Sequence, residues 1–318
     1  MEVPVEASLN SYNVAIICTE PLIRTVLSAA LDNVQPSRQH FRESPHHYSY
    51  GQISGHNVVL VRPKVGCPLI MSHILATCPN VRFALIVGIG SGIPGREAEI
   101  RLGDIVVSKP TEQGTVGIIQ YQYQGAETKG ILAKENHSQE LPRDLRDAIR
   151  EMENRPASQT RQLKQIMQAA VSEHDLMRRL LARHRNDWLF ETTCTHGNDH
   201  SNCFRCKLSM LDPRRLRQVS TDEPRVHYGR IATADPAIVS ALHQEGIARE
   251  DGVICLDTEP VSLTDDIPYL LIRGISDYGG SDKNTEWHGY AALASAAYAK
   301  LLLSAVPPVE TVSEKKSV

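Results

Sequence analysis

The sequence predicts an α/β fold in which helices flank a central sheet. Two observations support this. Short apolar runs rich in branched residues recur at 13–18, 82–87, 253–256 and 269–272, and such runs are typical of strands buried on both faces of a sheet. Segments with apolar residues at helical spacing alternate with them, beginning with 21–33 directly after the first run. A strand followed at once by a helix is the beginning of a βαβ unit.

The individual elements follow from local pattern. A Ser-Gly-His turn at 54–56 between two strand-like segments predicts a hairpin. Two or three peripheral helices are expected between 136 and 182, with a break at Pro156. We predict strands at 13–18, 48–53, 57–62, 82–87, 116–123, 226–233, 252–256 and 269–274, and further helices at 21–33, 68–78, 236–245 and 287–306.

Composition excludes several classes of protein. Of the 318 residues, 41% are hydrophobic and 22% are charged, and the net charge of −3 does not favour a nucleic-acid surface. The first residues lack a signal-peptide pattern, and the apolar segment 291–306 contains Lys300 and is too short to span a bilayer. The seven cysteines suit a reducing compartment, so we expect a cytoplasmic protein with disordered tails at 1–11 and 307–318.

Two acidic residues follow the last two predicted strands. Glu259 comes three residues after the strand 252–256, and Asp277 comes three residues after the strand 269–274. Ligands of open α/β sheets bind at the carboxyl ends of strands. The pattern therefore favours both acids as site residues, although acids in solvated turns would have the same spacing.

A glycine-rich run at 88–94 follows the strand 82–87. Glycines let backbone N–H groups approach an anion, so this run is a candidate phosphate-binding turn. It is not a dinucleotide-binding fingerprint, because Pro94 and no helical pattern come next. A tight turn at the end of a strand explains the same residues.

These segments together resemble the purine and uridine phosphorylase superfamily, which also contains nucleoside hydrolases that act on methylthioadenosine. The resemblance is carried by the GIGSGIP run at 88–94, the LGDIVVS run at 102–108, the ISD run at 275–277 and the helix-like segment 287–302. The segment 100–110 closely matches the next strand of the family, so the resemblance implies a further strand there. It is most specific to the fungal branch. It implies a three-layer nucleoside-phosphorylase-like fold with a mixed central sheet, forming one domain over 12–306 with an insertion at about 136–223.

The resemblance also implies roles for individual residues. Asp277 matches the acid that protonates a purine, and Glu259 matches the residue that holds the ribose hydroxyls. Thr258 stands where a methionine is usual. From its position beside Asp277, Ser276 would hold Asp277 or the edge of the base, or only cap the turn. The remaining residues that the resemblance places around the substrate are Gly88, Gly90 and Ser91.

The acceptor of the ribosyl group is less clearly specified. Relatives that use phosphate carry an arginine just before the glycine run, but residues 85–87 are uncharged here, and Arg24 is one place out of register with another phosphate-binding arginine. Hydrolases of the fungal branch carry a glutamate where this chain has Ile23. Glu20, three residues earlier, is the candidate base that activates water; alternatively it is a solvated residue at the start of a helix. The loop 63–68 is also shorter than in those relatives.

The resemblance thus implies an enzyme that cleaves the N-ribosidic bond of a purine-type nucleoside, with a hydrolase slightly favoured over a phosphorylase. A catalytically silent nucleoside-binding or sensor module is the alternative, as is a divergent enzyme of secondary metabolism that uses the same pocket. The expected partners are a nucleoside, phosphate if the enzyme is a phosphorylase, and other copies of the chain in a homo-oligomer, but no nucleic acid or membrane.

A cysteine- and histidine-rich patch lies within the insertion. Its Cys-x-x-Cys pair with a nearby cysteine and two histidines is a zinc pattern, and the candidate ligands of a structural zinc are Cys194, His196 (or His200), Cys203 and Cys206. Reduced thiols in a surface loop are the alternative. The resemblance implies that catalysis itself requires no cofactor.

Overall fold

The fold is described from a computed structural model of the chain. The described residues are 8–18, 20–35, 46–63, 69–95, 98–109, 117–124, 131–136, 140–173, 175, 178–179, 223–235, 238, 251–257, 266–279 and 287–309. The strands are β1 (Val14–Cys18), β2 (Asn33–Gln35), β3 (His47–Ile53), β4 (His56–Arg62), β5 (Phe83–Gly92), β6 (Ile105–Ser108), β7 (Ile118–Gln124), β8 (Ile131–Asn136), β9 (Val226–Ala234), β10 (Val253–Asp257) and β11 (Tyr269–Asp277). The helices are α1 (Pro21–Ala29), α2 (Ile70–Thr77), α3 (Arg143–Glu153), α4 (Pro156–Glu173) and α5 (His288–Ala305).

All of these strands belong to one mixed sheet. Its order is β2-β3-β4-β1-β5-β11-β6-β9-β7-β8, and β10 pairs with both β5 and β9. Strands β4, β1, β5 and β11 run in one direction. Strands β6, β9, β7 and β10 run in the other. Because β10 is antiparallel to β5 and pairs only with its last residues, the carboxyl ends of the two sets of strands converge there.

The core is built around α5. The helix packs on β11 and β5. Fourteen of its 18 residues are buried, so residues on every side of the helix face the core. A Cβ atom on Gly274 of β11 would lie 2.0 Å from the Ala291 carbonyl oxygen, so only glycine lets the helix backbone contact the strand so closely. Helices α1 and α4 cover α5 from outside. The described part of the predicted insertion therefore shares the main core.

The structure confirms most of the predicted elements and the α/β class. The predicted hairpin is the β3–β4 pair, and its turn residues Ser54 and Gly55 have positive φ angles. The break at Pro156 separates α3 from α4. Strands β2 and β8 were not predicted. The predicted helix at 236–245 and the irregular part of the insertion lie mostly outside the described residues.

The prediction of a turn or anion-binding loop at 88–94 is wrong for its first five residues. Strand β5 continues through Gly92 and is buried along its whole length. A Cβ atom on Gly90 would lie 2.8 Å from the Cys255 sulfur and 3.0 Å from the Leu256 carbonyl oxygen. The glycine is therefore needed because β10 crosses close to β5, which is a tertiary requirement that local sequence does not show.

The LGD run has a structural role. Asp104 is 1% exposed, and its carboxylate accepts hydrogen bonds from the backbone N–H groups of Arg101 and Arg225, each at 3.0 Å. Its Oδ2 atom also lies 2.9 Å from His227 Nε2. The buried carboxylate thus joins the starts of β6 and β9, which pair in parallel.

Candidate active site

Asp277, the predicted general acid, is the last residue of β11 and is partly buried. The Ser91 hydroxyl donates a hydrogen bond to Asp277 Oδ1, and the backbone N–H of Gly279 donates a second to the same oxygen at 2.9 Å. The Ser276 hydroxyl donates to Oδ2 at 2.9 Å. Both carboxylate oxygens are therefore held by neighbouring donors.

Ser91 is the residue at which three strands meet. It pairs with Asp277 of β11 on one side and with Leu256 of β10 on the other. A break in register between Ile275 and Asp277 turns the end of β11, which lets the Asp277 side chain reach Ser91. Two of the residues that the resemblance placed at the substrate, Ser91 and Ser276, are thus brought to the candidate acid.

The serine hydroxyls can hydrogen-bond the Asp277 carboxyl in both its ionised and its protonated form. A hydroxyl donates one hydrogen bond and accepts others, and it rotates to suit its partner. With Asp277 ionised, Ser91 and Ser276 donate to it. With Asp277 protonated, one hydroxyl can turn and accept, so the carboxyl keeps its place while a proton is gained or lost.

A buried ion pair lies beside this cluster. Arg273 and Asp257 are each 1% exposed, and Arg273 Nη2 lies 2.6 Å from Asp257 Oδ2. We did not predict this pair. A charged residue within the apolar run 269–275, and an acid that ends the run 253–256, were the signals that could have indicated it.

Two buried cysteines, Cys18 of β1 and Cys255 of β10, are poor nucleophiles. Burial raises the pKa of the Cys18 thiol to about 12, although the Arg24 guanidinium opposes the shift. Burial also raises the pKa of the Cys255 thiol, and the nearby Asp257 carboxylate raises it further. Because only the thiolate attacks, both cysteines act as small apolar core residues.

The candidate water-activating residue follows β1. Glu20 is the partly buried N-cap residue of α1, and its backbone carbonyl accepts a hydrogen bond from Arg24 N–H at 3.2 Å. Strand β1 is parallel to β5, with Cys18 opposite Val87, so Glu20 lies at the same sheet edge as Asp277. The strands end at different levels, however, because β5 extends beyond the end of β1 by four residues, or about 13 Å, from Val87 to Ser91.

The neighbouring residues do not supply another base. Ile23, which stands where the resemblance expects a glutamate, is 0% exposed and packs in the core. The Arg24 guanidinium of α1 donates to the Ser49 hydroxyl of β3 at 3.0 Å. The structure thus brings Asp277, Ser276 and Ser91 together with Gly90, whose carbonyl oxygen lies 3.5 Å from the Ser276 hydroxyl. It places Glu20 at the same edge without a described contact to them.

A cavity of about 280 Å³ opens beside the carboxyl end of β9. Small-molecule pockets commonly begin near this size, at roughly 300 Å³. Thr233 on its wall is paired with Asp257, which places the cavity at the convergence of strand ends. Asp277 and Ser91 are not among its described lining residues, which are Gln120, Tyr121, Gln122, Thr233, Ala234, Asp235 and Ile238.

One wall of the cavity is fixed by Tyr121. This residue is 1% exposed and donates a hydrogen bond to Asp251, the residue that precedes the turn into β10. Burial, and then the bond to Asp251, raises the pKa of the Tyr121 hydroxyl. The hydroxyl therefore stays neutral and presents a fixed surface.

Several predicted site residues lie outside the described part of the chain. These are Glu259 and Thr258 at the substrate, and Cys194, His196, Cys203 and Cys206 of the proposed zinc site. Their roles stay predictions. Among the described residues there is no cluster of three or more cysteine, histidine or acidic side chains that could hold a metal ion, and no helix combines the length and apolar character needed to cross a bilayer.

Comparison with known sequences finds two kinds of relative. A nucleotide-binding leucine-rich repeat (NLR)-like protein of Hyaloscypha variabilis is 33% identical over 304 residues, which is 93% of this chain and 30% of that protein. A 5'-methylthioadenosine/S-adenosylhomocysteine nucleosidase of Mycobacterium bovis is 28% identical over 90 residues, 27% of this chain and 35% of the relative. The chain thus spans about a third of the length of each. No protein-family model matches it.

Solved structures of nucleosidases share the architecture. The 5'-methylthioadenosine/S-adenosylhomocysteine nucleosidase of S. pneumoniae, with a transition-state inhibitor, aligns with a TM-score of 0.51 and 17% identity over 93% of this chain and 100% of that one. Futalosine hydrolase of Helicobacter pylori aligns with a TM-score of 0.53 and 11% identity over 92% and 97% of the two chains. At such identities the likeness shows a common fold.

Proposed function

The chain has the fold of the purine and uridine phosphorylase superfamily, and from this premise we propose that it cleaves the N-ribosidic bond of a purine-type nucleoside by hydrolysis. The observation that carries the proposal is the position of Asp277 at the end of β11, with both carboxylate oxygens held by Ser91, Ser276 and the Gly279 backbone. A carboxyl fixed in this way is suited to transfer a proton to a base of defined position.

Cleavage of the N-ribosidic bond requires an acid that protonates the departing nucleobase. Breaking the bond builds positive charge on the sugar and negative charge on the departing base. Asp277 protonates a ring nitrogen so that the base leaves neutral, and such general acid catalysis is typically worth about 10²–10⁴ in rate. Ser91 and Ser276 hold the carboxyl while its proton moves.

Two further side chains are needed, one to bind the ribose and one to activate the attacking water. Glu259 hydrogen-bonds the ribose hydroxyls and favours the positively charged transition state, because a carboxylate lies close to the developing charge. Glu20, at the N-terminus of α1, takes the proton from the attacking water. The cavity beside β9 is the candidate space for part of the substrate, because it opens where the strand ends converge.

A panel of nucleosides tests the proposal directly. The pure protein is incubated with 5'-methylthioadenosine, S-adenosylhomocysteine, adenosine, inosine and uridine, with and without phosphate, and free base is measured by chromatography. Release of purine without phosphate is the expected result. Release only with phosphate would make the protein a phosphorylase, and a preference for uridine would contradict the purine assignment.

A nucleoside-binding module without catalysis is the second candidate. It is favoured by the relation to a fungal NLR-like protein, of which this chain spans 30%, and by the burial of Ile23 where the resemblance expects a water-activating glutamate. In that case calorimetry would detect nucleoside binding while chromatography detects no release of base in any condition.

A further inference from the structure

The Arg273–Asp257 pair joins the three strands that form the candidate site. Arg273 Nη2 lies 2.6 Å from Asp257 Oδ2 of β10. Arg273 Nη1 donates to the Ile86 carbonyl of β5 at 2.7 Å and to the Ile272 carbonyl of its own strand at 3.0 Å. A single guanidinium therefore fixes β5, β10 and β11 to one another.

Stability alone does not account for an ion pair in this position. Removing two charges from water carries a large desolvation penalty, and apolar residues of similar volume often stabilise a core as well or better. The surrounding core is otherwise strongly apolar, with Cys255, Leu256 and Ile272 each 0% exposed. A buried pair of this kind is better explained by the specific geometry that it imposes, because a planar guanidinium accepts partners only in fixed directions.

The pair lies close along the chain to the residues that hold Asp277. Asp257 follows Leu256, which pairs with Ser91, and Arg273 precedes Asp277 by four residues on β11. A Cβ atom on Gly90 would lie 3.4 Å from the Arg273 Cβ atom and 2.8 Å from the Cys255 sulfur. Glycine at this position thus leaves room for both the arginine and the crossing strand.

We infer that Arg273 and Asp257 are positioning residues for Asp277, an inference that rests on the proposed function of that residue as the acid. By holding β10 against β5 and β11, the pair keeps Ser91 at hydrogen-bonding distance from the Asp277 carboxyl. Through the ion pair and the hydrogen bonds to the Ile86 and Ile272 carbonyls, the pair acts on the backbone of the three strands. Its effect is therefore on turnover more than on binding, because small displacements of a reacting group are costly in the transition state.

The test replaces the pair without leaving an unpaired buried charge. In the double variant Arg273→Met/Asp257→Leu the volume is roughly kept, so the midpoint of thermal unfolding should stay within a few degrees of wild type. We expect kcat for base release to fall by about tenfold or more, while KM rises by about threefold at most. A folded double variant with native kcat would overturn the inference.

A matched control has the same chemistry at the other end of β5. Arg82, the residue before that strand, forms an ion pair of 2.9 Å with Asp144 of α3. The Arg82 side chain is 37% exposed and the Asp144 side chain is 24% exposed. Arg82→Met/Asp144→Leu should leave kcat and KM unchanged. If the buried double variant does not fold, Arg273→Lys decides, because it keeps the charge but loses the planar fork: kcat within twofold of wild type would then overturn the inference.

The outcome can be separated from that of the proposed function. If wild type releases no base, the proposed hydrolysis fails, and the inference that rests on it is overturned as well. If wild type releases base and the folded buried double variant keeps the native kcat, the proposed hydrolysis stands and only the inference is overturned. A fall in kcat in the buried double variant, with the Arg82 control unchanged, supports the positioning role.

Discussion

At the residue scale, the candidate site depends on how one carboxyl is held. Asp277 accepts hydrogen bonds from Ser91 at the end of β5, from Ser276 at the end of β11 and from the Gly279 backbone after β11. Donors from two separate strands fix its position more firmly than a turn residue is usually fixed. This makes the simple alternative of a solvated turn acid a poor description of Asp277.

Replacing Asp277 tests its role as the acid. Asp277→Asn keeps the shape of the side chain and a partner for the serines but removes the transferable proton, so base release should fall by about 10²-fold or more. Asp266→Asn is the matched control, because Asp266 is exposed and lies just before the opposite end of β11. Turnover near wild type in Asp277→Asn, with the fold intact, would remove Asp277 from the mechanism.

Replacing Glu20 tests the base that activates water. In Glu20→Gln we expect nucleoside binding by calorimetry to be retained while base release is lost, because the amide cannot take a proton. Glu140→Gln is the control, since Glu140 is exposed and pairs with Arg146 at the surface. Unaffected release would mean that the base lies elsewhere or that another acceptor is used.

At the scale of elements, the site depends on close contact between α5 and β11. Gly274→Ala places a methyl group 2.0 Å from the Ala291 carbonyl, so the helix must move. We expect the free energy of unfolding to fall by about 1–3 kcal/mol or more. Gly95→Ala, where a Cβ atom meets nothing within 4 Å, should change it by less than about 0.5 kcal/mol. Denaturant titration of both variants measures the difference, and equal values would show that α5 adjusts freely.

The sequence predicted those elements whose pattern is local. The buried strands β5 and β11 follow from continuous apolar runs, and the β3–β4 hairpin follows from a turn with glycine. The glycine run was misassigned because glycine weakens a strand locally, whereas the close crossing of β10 requires it there. The crossing joins residues more than 160 positions apart, and no local pattern encodes it.

The same distinction holds for the site. Asp277 could be predicted because it follows an apolar run near the carboxyl end of a strand, whereas Ser276 and Ser91 were predicted through the family resemblance. The Arg273–Asp257 pair could not be predicted in the same way, because its partners meet only through the order of strands in the sheet. Motif resemblance proposed the candidate site residues, and the tertiary structure shows which strands hold Asp277, Ser276 and Ser91 together.

At the scale of the whole molecule, stability should depend on pH through His46, a buried histidine that contacts the partly buried His73. His46 is 4% exposed, and its Nε2 atom lies 2.9 Å from His73 Nδ1 of α2. Burial, then His73 and then His47, lowers the pKa of His46 below the ordinary value near 6.5. As the pH falls below that value the unfolded chain binds the proton first, so the free energy of unfolding decreases.

The measurement is chemical unfolding between about pH 7 and pH 5. Wild type should lose stability over this interval, and His46→Gln should show a smaller loss, because the group with the lowered pKa is gone. His288→Gln, at the start of α5, is the control and should keep the wild-type slope. The same slope in His46→Gln and wild type would contradict the assignment.

The last prediction concerns assembly. We expect a homo-oligomer, because members of the superfamily that this chain resembles commonly complete their pockets with a neighbouring subunit, and because β2 and β8 are the outer strands of the described sheet and have one unpaired edge each. Light scattering at micromolar concentration should give a multiple of 35.2 kDa. If the neighbour completes the pocket, base release per chain should also fall on dilution, in parallel with dissociation. A mass of 35.2 kDa at all concentrations, with constant activity per chain, would show that one chain contains the entire site.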